Sequence, residues 1–349
     1  MLYCFRGGLM QNKVSMDNIA EALNMSRNTV SKAFNNQHLP EKTKQLILNK
    51  AIELGYKNLD TVAKRETIIH HKNIMILTTN DLQNLNFFLS VLRGIDNIVT
   101  KYNLNLLQFQ YGKIHQFQDL KDYIRISQVS GILCLETFDE SLVKQILSLK
   151  IPVVFMDSTI ECIEYSGDFD IVLMENRNSI KNMIKHLIRT SSITKIGFIG
   201  DYLHCLGFYE RFVGFREALF EHKIHYQSKL NVTKADEFPY GNQEALANEL
   251  KQMDELPELF VCANDFLAIS TIKALKLMGK RVPQDVQVIG FDNTIDARNY
   301  EIPLTTIDTD KEVLGNESIV TLLNRIKYKE DRNRIIHLKT KPIYRDSTK

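Results

Sequence analysis

Met16-Asp17-Asn18-Ile19-Ala20-Glu21-Ala22-Leu23, followed by Asn24-Met25 and then by Ser26-Arg27-Asn28-Thr29-Val30-Ser31-Lys32-Ala33-Phe34, is the stretch on which the reading of this chain turns. Met16, Ile19, Ala20 and Leu23 recur at helical spacing, and Ser15 stands where an N-cap oxygen takes up a free backbone N–H. Asn24 and Met25 make the turn. Ser26 is placed to cap a second helix that runs to Phe34 and buries Val30, Ala33 and Phe34. Helices this short, joined this tightly, cross steeply instead of lying side by side. A third helix is expected from Glu41 to Leu54, entered through Pro40, with Leu46, Ile47 and Leu54 facing inward and Gly55 as its terminator. None of the three is long enough to be stable alone, so together they form one small three-helix unit.

That packing turns the polar side of the second helix outward. Arg27, Asn28 and Lys32 lie along it, and their donors and acceptors suit base edges: Arg pairs with guanine, Asn with adenine, Lys with guanine or phosphate. Ser26, Thr29 and Ser31 are small enough to let a helix sit deep in a groove while their hydroxyls reach phosphates. The charge distribution agrees. Residues 1 to 65 carry ten Lys/Arg against five Asp/Glu, whereas the whole chain of 349 residues is nearly balanced at 44 against 42. A basic head on a slightly acidic body is the distribution that phosphate-backbone binding favours.

Val14 to Ala20, Asn24 to Asn35 and Leu54-Gly55-Tyr56 resemble the DNA-binding head of the lactose-repressor (LacI/GalR) family. The family's recognition helix follows a Val-Ser-x-x-Thr-Val-Ser-Arg pattern; here Met25 replaces the first Val and Lys32 the Arg. The resemblance implies a sequence-specific DNA-binding regulator, on the family's pattern a repressor, acting as a homodimer on a pseudo-palindromic double-stranded operator. Its DNA contacts are expected at Ser26, Arg27, Asn28, Thr29, Ser31, Lys32 and Tyr56, with Lys64 and Arg65 reaching phosphate. The family begins two to four residues before the position of Val14, which makes Met10 a natural start. The expected organisation is an upstream extension over 1–9, a helix-turn-helix domain over 10–56, a hinge over 57–72 and a sensor and dimerisation domain over 73–349. The hinge departs from the family: the usual proline is missing at Lys57-Asn58, and Arg65 or Glu66 occupies the place of a leucine that wedges into the minor groove. A charged side chain does not unstack a base step as an apolar wedge does, so a smaller or differently achieved operator bend is expected.

From Lys72 onward the pattern changes to short apolar runs, Ile74–Leu77, Leu104–Phe109, Gly131–Leu135, Val153–Met156, Ile196–Ile199, Leu259–Ala263 and Val286–Phe291, each the length of a buried parallel strand. Amphipathic helical stretches alternate with them at Phe87–Tyr102, Leu142–Leu149, Ile180–Ile188, Glu210–His222 and Phe266–Met278. The fold class is therefore α/β, with parallel sheets in two lobes near 73–175 and 190–325 and a cleft at the strands' carboxyl ends. The family resemblance continues through Arg211-Phe212-Val213-Gly214-Phe215, Cys262-Ala263-Asn264-Asp265, Gly290-Phe291-Asp292-Asn293 and Arg345-Asp346-Ser347-Thr348, and implies a periplasmic-binding-protein-like sensor. Ligand contacts are expected from Asp292, Asn264 and Arg211, from one of Phe87 and Phe88 stacking on a sugar face, and from Asp157 and Asn176. Asp265 is expected either in the site or as the cap of the following helix. Thr309 stands where many sugar-sensing members carry a glutamine.

Other functions are disfavoured by what the chain lacks. No run approaches a membrane span, Met1 to Met10 has no secretory order, and Cys4, Cys134, Cys162, Cys205 and Cys262 are odd in number and scattered, pointing to reduced thiols in the cytoplasm. No Gly-rich phosphate loop, nucleophile elbow or metal-spaced histidine pair suggests an enzyme or a cofactor. The expected effector is a small molecule, a sugar by resemblance; a protein corepressor, as in carbon-catabolite regulators of the family, is the alternative.

Overall fold

The computed structural model describes residues 14–34, 39–54, 56, 73–79, 85–112, 116–328 and 332–349. They fall into two compact units, one preceding Asn73 and also taking in Tyr102–Leu104, the other formed by Asn73–Lys101 and Asn105–Lys349.

The head contains α1 (Met16–Ala22), α2 (Arg27–Phe34) and α3 (Glu41–Glu53). Ser15 caps α1 in a reciprocal box: its hydroxyl accepts from the Asn18 N–H, and Asn18 Oδ1 accepts from the Ser15 N–H at 2.8 Å. The turn depends on Asn24, whose φ of 55° is left-handed, a conformation Asn tolerates; it lets the Met25 N–H reach the Ala20 carbonyl at 2.9 Å. Ile19, Val30, Ala33, Phe34, Ile47, Leu48 and Ala51 form the core. Leu46 was expected inside but is exposed, because α3 turns Ile47, Leu48 and Ala51 inward and carries Leu46 to the rim.

In the body, the first lobe is a six-stranded parallel sheet in the order β10-β5-β4-β3-β1-β2, built from β1 (Asn73–Thr78), β2 (Asn105–Gln110), β3 (Val129–Thr137), β4 (Val153–Ser158), β5 (Phe169–Met174) and β10 (Ile335–Leu338). Its helices are α4 (Leu85–Lys101), α5 (Phe117–Ile126), α6 (Glu140–Ser148) and α12 (Lys311–Tyr328). The second lobe holds the parallel strands β6 (Ile196–Ile199), β7 (Leu259–Cys262) and β8 (Gln287–Ile289), and the antiparallel pair β9 (Thr306–Asp308) and β11 (Lys341–Ile343). Around them lie α7 (Arg177–Ser191), α8 (Leu206–Glu221), α9 (Gln243–Leu250), α10 (Asp265–Leu277) and α11 (Ile295–Asn299).

The division near 190–325 needs correction. α12 packs on α4 and on β3, β4 and β5, so it belongs to the first lobe, and the chain crosses between lobes after β5, after β9 and after β10. Two features hold it there. A Cβ on Gly315 would lie 2.1 Å from the Val91 carbonyl oxygen, so only glycine permits this helix approach. Arg325, fully buried, donates from Nε to Asp170 at 2.9 Å and from NH1 to Asp168 at 2.9 Å.

Candidate functional site

On the head, Ser26 caps α2: its hydroxyl accepts from the Thr29 N–H at 3.1 Å and bonds the Thr29 hydroxyl at 2.8 Å. Ser26, Arg27, Asn28 and Lys32 are exposed, while Thr29 and Ser31 are half-buried. Arg27 and Asn28 open the helix, and Lys32 lies one turn beyond Asn28, so a single face carries all three. Arg27 Nε stands 3.4 Å from Asp17 Oδ1, but both side chains remain largely exposed and the guanidinium is available to a stronger acceptor. Tyr56 corrects its expectation. It is buried, its ring stacked on Phe34 at 5.3 Å, so it holds the head together instead of facing DNA. Lys64, Arg65 and the rest of the 57–72 hinge, like the 1–9 extension and Gly55, lie outside the described residues.

In the body, the carboxyl ends of the strands meet around Arg211, which sits in the second turn of α8 with 7% of its surface exposed. Its Nε donates to Asn176 Oδ1 at 2.9 Å, its NH1 donates to the Ala263 carbonyl at 2.7 Å, and its NH2 lies 4.0 Å from Asp292 Oδ1. The guanidinium carbon lies over the Phe291 ring, 3.7 Å from its centroid, with the Phe208 ring centroid at 5.2 Å. Asn176 is saturated in turn, donating to the Met174 carbonyl and to Glu210 Oε2. Asp157, at the end of β4, reaches from the first lobe and accepts the Gly207 N–H at 3.1 Å, at the N-terminus of α8. A Cβ on Gly207 would stand 2.5 Å from Asp157 Oδ2; the lobes touch here because that residue has none. Burial pushes the Asp157 and Asp292 carboxyls up, and the Arg211 charge opposes the shift in both.

The two candidates after β7 divide their roles otherwise than expected. Asn264 is the cap of α10, accepting the Leu267 N–H at 2.9 Å. Asp265 is fully buried and accepts from the Thr306 hydroxyl at 2.5 Å and the Thr294 N–H at 2.7 Å. Burial, with the Asp292 charge adding to it, raises its carboxyl to about 7. Phe88 is buried and Phe87 half-buried at the start of α4, so Phe88 takes the core role. Thr309 is buried, donating from its hydroxyl to the Asp292 carbonyl at 3.3 Å and accepting from Lys311 Nζ at 2.9 Å.

Sequence reasoning missed several groups here. Glu136 lies near the end of β3, and burial, then the charges of Asp292 and Asp157, push its carboxyl up. Phe138 of the first lobe meets His204 of the second edge-on at 4.8 Å, and His204 also contacts the Phe208 ring at 4.9 Å and Asp236 Oδ2 at 2.6 Å. Glu136 sits at the carboxyl end of β3 and His204 in the loop beyond the carboxyl end of β6, so the strand-end rule applied to every strand would have found them.

Residues 184–348 match the periplasmic binding protein-like domain. An HTH-type transcriptional repressor PurR from Vibrio atlanticus (strain LGP32) is 28% identical over 341 residues, covering 96% of this chain and 98% of that protein. The chain resembles the LacI/GalR family along nearly its whole length. Solved structures share the fold along nearly the whole length. A transcriptional regulator CelR–cellobiose complex has a TM-score of 0.70 at 22% identity, covering 96% of this chain and 99% of that one. A lac repressor dimer bound to operator and the anti-inducer ONPF has a TM-score of 0.64 at 20% identity, with 97% and 99% covered. That likeness supports a sequence-specific DNA-binding regulator of the LacI/GalR type. No helix among the described residues is long and apolar enough to cross a membrane.

Proposed function

We propose that α2 reads an operator through Arg27, Asn28 and Lys32, and that a small ligand in the cleft around Arg211, Asp157 and Asp292 controls that binding. The observation that carries the DNA half is the exposed triad on a helix whose start is fixed by Ser26. Capping holds the first turn rigid, which keeps the two residues nearest the helix start at a constant depth in the major groove. The ligand half rests on buried polar groups from both lobes converging at strand ends, with cellobiose and ONPF bound in the two structural neighbours named above. A sugar is the class this favours. A homodimer on a pseudo-palindromic site is the matching assembly.

The test uses the full chain. Operator sequence is first selected from a random duplex pool; Arg27→Ala and Asn28→Ala are each expected to relax preference at one position per half-site by about 1–3 kcal/mol, read by competition binding. Unchanged discrimination in both variants refutes the recognition assignment. Thermal-shift screening against sugars, nucleobases and amino acids tests the ligand half, since a bound ligand raises stability by mass action. A uniformly negative screen refutes it in favour of a protein corepressor.

A further inference from the structure

Arg211 is one end of a longer polar series. Its Nε donates to Asn176 Oδ1 at 2.9 Å, the Asn176 amide nitrogen donates to Glu210 Oε2 at 2.9 Å, and Glu210 Oε1 accepts from His337 Nε2 at 2.8 Å. Arg211 and Asn176 are buried, whereas the Glu210 and His337 side chains are 19% and 35% exposed, so the series leads from the cleft out to an imidazole that meets solvent. It also crosses the lobes. His337 belongs to β10 in the first, Glu210 and Arg211 to α8 in the second, and Asn176 stands on the crossing between β5 and α7.

The middle of the series has one arrangement. Asn176 Nδ2 donates to the Met174 carbonyl at 2.8 Å as well as to Glu210. Flipping the amide would set its nitrogen against the Arg211 N–H and its oxygen against a carbonyl and a carboxylate, so every pairing would fail at once. The Glu210 carboxylate is shared between His337 and Asn176, and what the imidazole offers on one side is therefore felt on the other. Histidine is the member whose charge changes near neutral pH. A carboxylate only accepts, so Nε2 carries hydrogen in both protonation states, and losing the proton turns an ion pair into a weaker hydrogen bond.

The charges around His337 come from three elements. The Glu210 hydrogen bond from α8 raises the imidazole above its ordinary range against the burial that lowers it, and the charges of Glu210 and of Glu175, at the end of β5, add to the rise. Glu175 is spent on the Asn178 and Ser179 N–H groups at 2.8 and 2.7 Å, so it acts on the imidazole by charge alone. Arg177, opening α7, is paired with Glu217, and its charge also acts on Glu210 and Glu175. Lys339, further along the strand's own chain, is exposed.

We propose that His337 is a proton-dependent positioning residue for the cleft: through Glu210 and Asn176 it sets the orientation of the Arg211 guanidinium, holding it fast as imidazolium and slackening it as neutral imidazole. Because coupling between sites is reciprocal, a molecule that engages Arg211 changes the proton affinity of His337, and it binds more tightly below the His337 titration than above it, where the cleft is less preorganised. That consequence rests on the cleft being the effector site; the positioning itself does not.

The test is a pH titration of the ligand-free full chain by NMR, following the arginine Nε–H signals and the histidine rings. The Arg211 signal is identified by its absence from Arg211→Lys. It is expected to shift and broaden with the same midpoint as His337, above the ordinary histidine value of about 6.5, while the Nε–H of Arg325, buried on Asp170 at 2.9 Å, stays sharp. Asp157, Asp265 and Asp292 carry raised carboxyls in the same lobes, so the comparison between variants decides. His337→Gln still offers Glu210 an N–H but takes up no proton, and it should abolish this component of the Arg211 titration. Glu210→Gln should bring the His337 midpoint down toward the ordinary value and abolish the component as well. An Arg211 signal that ignores the His337 titration, or one that titrates unchanged in His337→Gln, overturns the inference and leaves the effector reading to the thermal-shift screen. A uniformly negative screen beside an Arg211 signal that follows His337 overturns the effector reading and sustains the positioning.

Discussion

Replacing Arg211 with methionine separates two roles that the sequence left together. If the guanidinium is a clamp, the ligand-free protein depends on it; if it is a reader of ligand, the ligand-free protein is indifferent. Arg211→Met retains a long apolar stem over Phe291 but leaves Asn176 Oδ1 and the Ala263 carbonyl without their donor, and Asp292 without its nearest cation. Each orphaned buried acceptor costs about 1–3 kcal/mol, and breaking a buried charged partnership costs about 3–5 kcal/mol. Because the groups form one network the effects are not additive, and a loss of about 4 kcal/mol is the expected total, a fall on the order of 10 °C in the body's melting temperature. Calorimetry of ligand-free protein reads it. The loss should be larger at pH 8 than at pH 5, because burial already raises the Asp292 carboxyl and Arg211 is what opposes that rise. Arg211→Lys keeps the charge but not the fork and should fall between. A shift below about 2 °C for Arg211→Met would refute the clamp and return the guanidinium to the pool of ligand contacts.

Three further outcomes follow from the body. Gly315→Ala drives a methyl toward the Val91 carbonyl and should destabilise the protein by about 1–3 kcal/mol in urea unfolding, with a neutral result refuting the close helix approach. Asp265, with its carboxyl raised to about 7, favours the folded state most below the ordinary carboxylate range, and that contribution is lost as pH rises toward 7; Asp265→Asn should flatten the stability profile between about pH 4 and 7. His337 Nε2 lies 2.8 Å from Glu210 Oε1, joining β10 of one lobe to α8 of the other, and the carboxylate raises its pKa. Its contribution is therefore full below about pH 6.5 and disappears as pH climbs past the raised value, so His337→Gln should lower stability at pH 6 and leave it unchanged at pH 9.

The head was legible almost to the residue because its signals are local: Ser15 and Ser26 as caps, Asn24 in the turn, and an apolar stripe on each of the first two helices. Where reading failed, tertiary packing decided. Leu46 and Leu48 are equally apolar, and only the rotation of α3 against its partners puts one outside. Asn264 and Asp265 are both capable caps, and the choice falls to Asn264 because Asp265 is claimed by Thr294 and Thr306, 29 and 41 residues away. β1 to β4 and β6 to β8 showed as apolar runs and β5, β9, β10 and β11 went unread; periodicity also says nothing about which sheet a helix covers, so α12 was assigned to the wrong lobe. Arg211, Asp157 and Asp292 were found because strand ends and family motifs coincide there. Glu136 and His204 were not, since no motif marks them and their meeting is made by lobe contact.

The late return of the chain to both lobes has a consequence for how the molecule forms during synthesis. The head is closed by contacts within residues 14–56 and can fold as soon as it emerges. The first lobe waits for Ile335–Leu338 to complete its sheet beside β5. The second waits longer, because the Ser347 hydroxyl bridges the Thr305 N–H and the Val288 carbonyl while its backbone N–H bonds Pro303. Both lobes therefore mature together and late, while an early-folded head stands ahead of nascent apolar strands still without their partners. That interval, set by connectivity, is when the newborn chain is most exposed to misassembly and most in need of a chaperone.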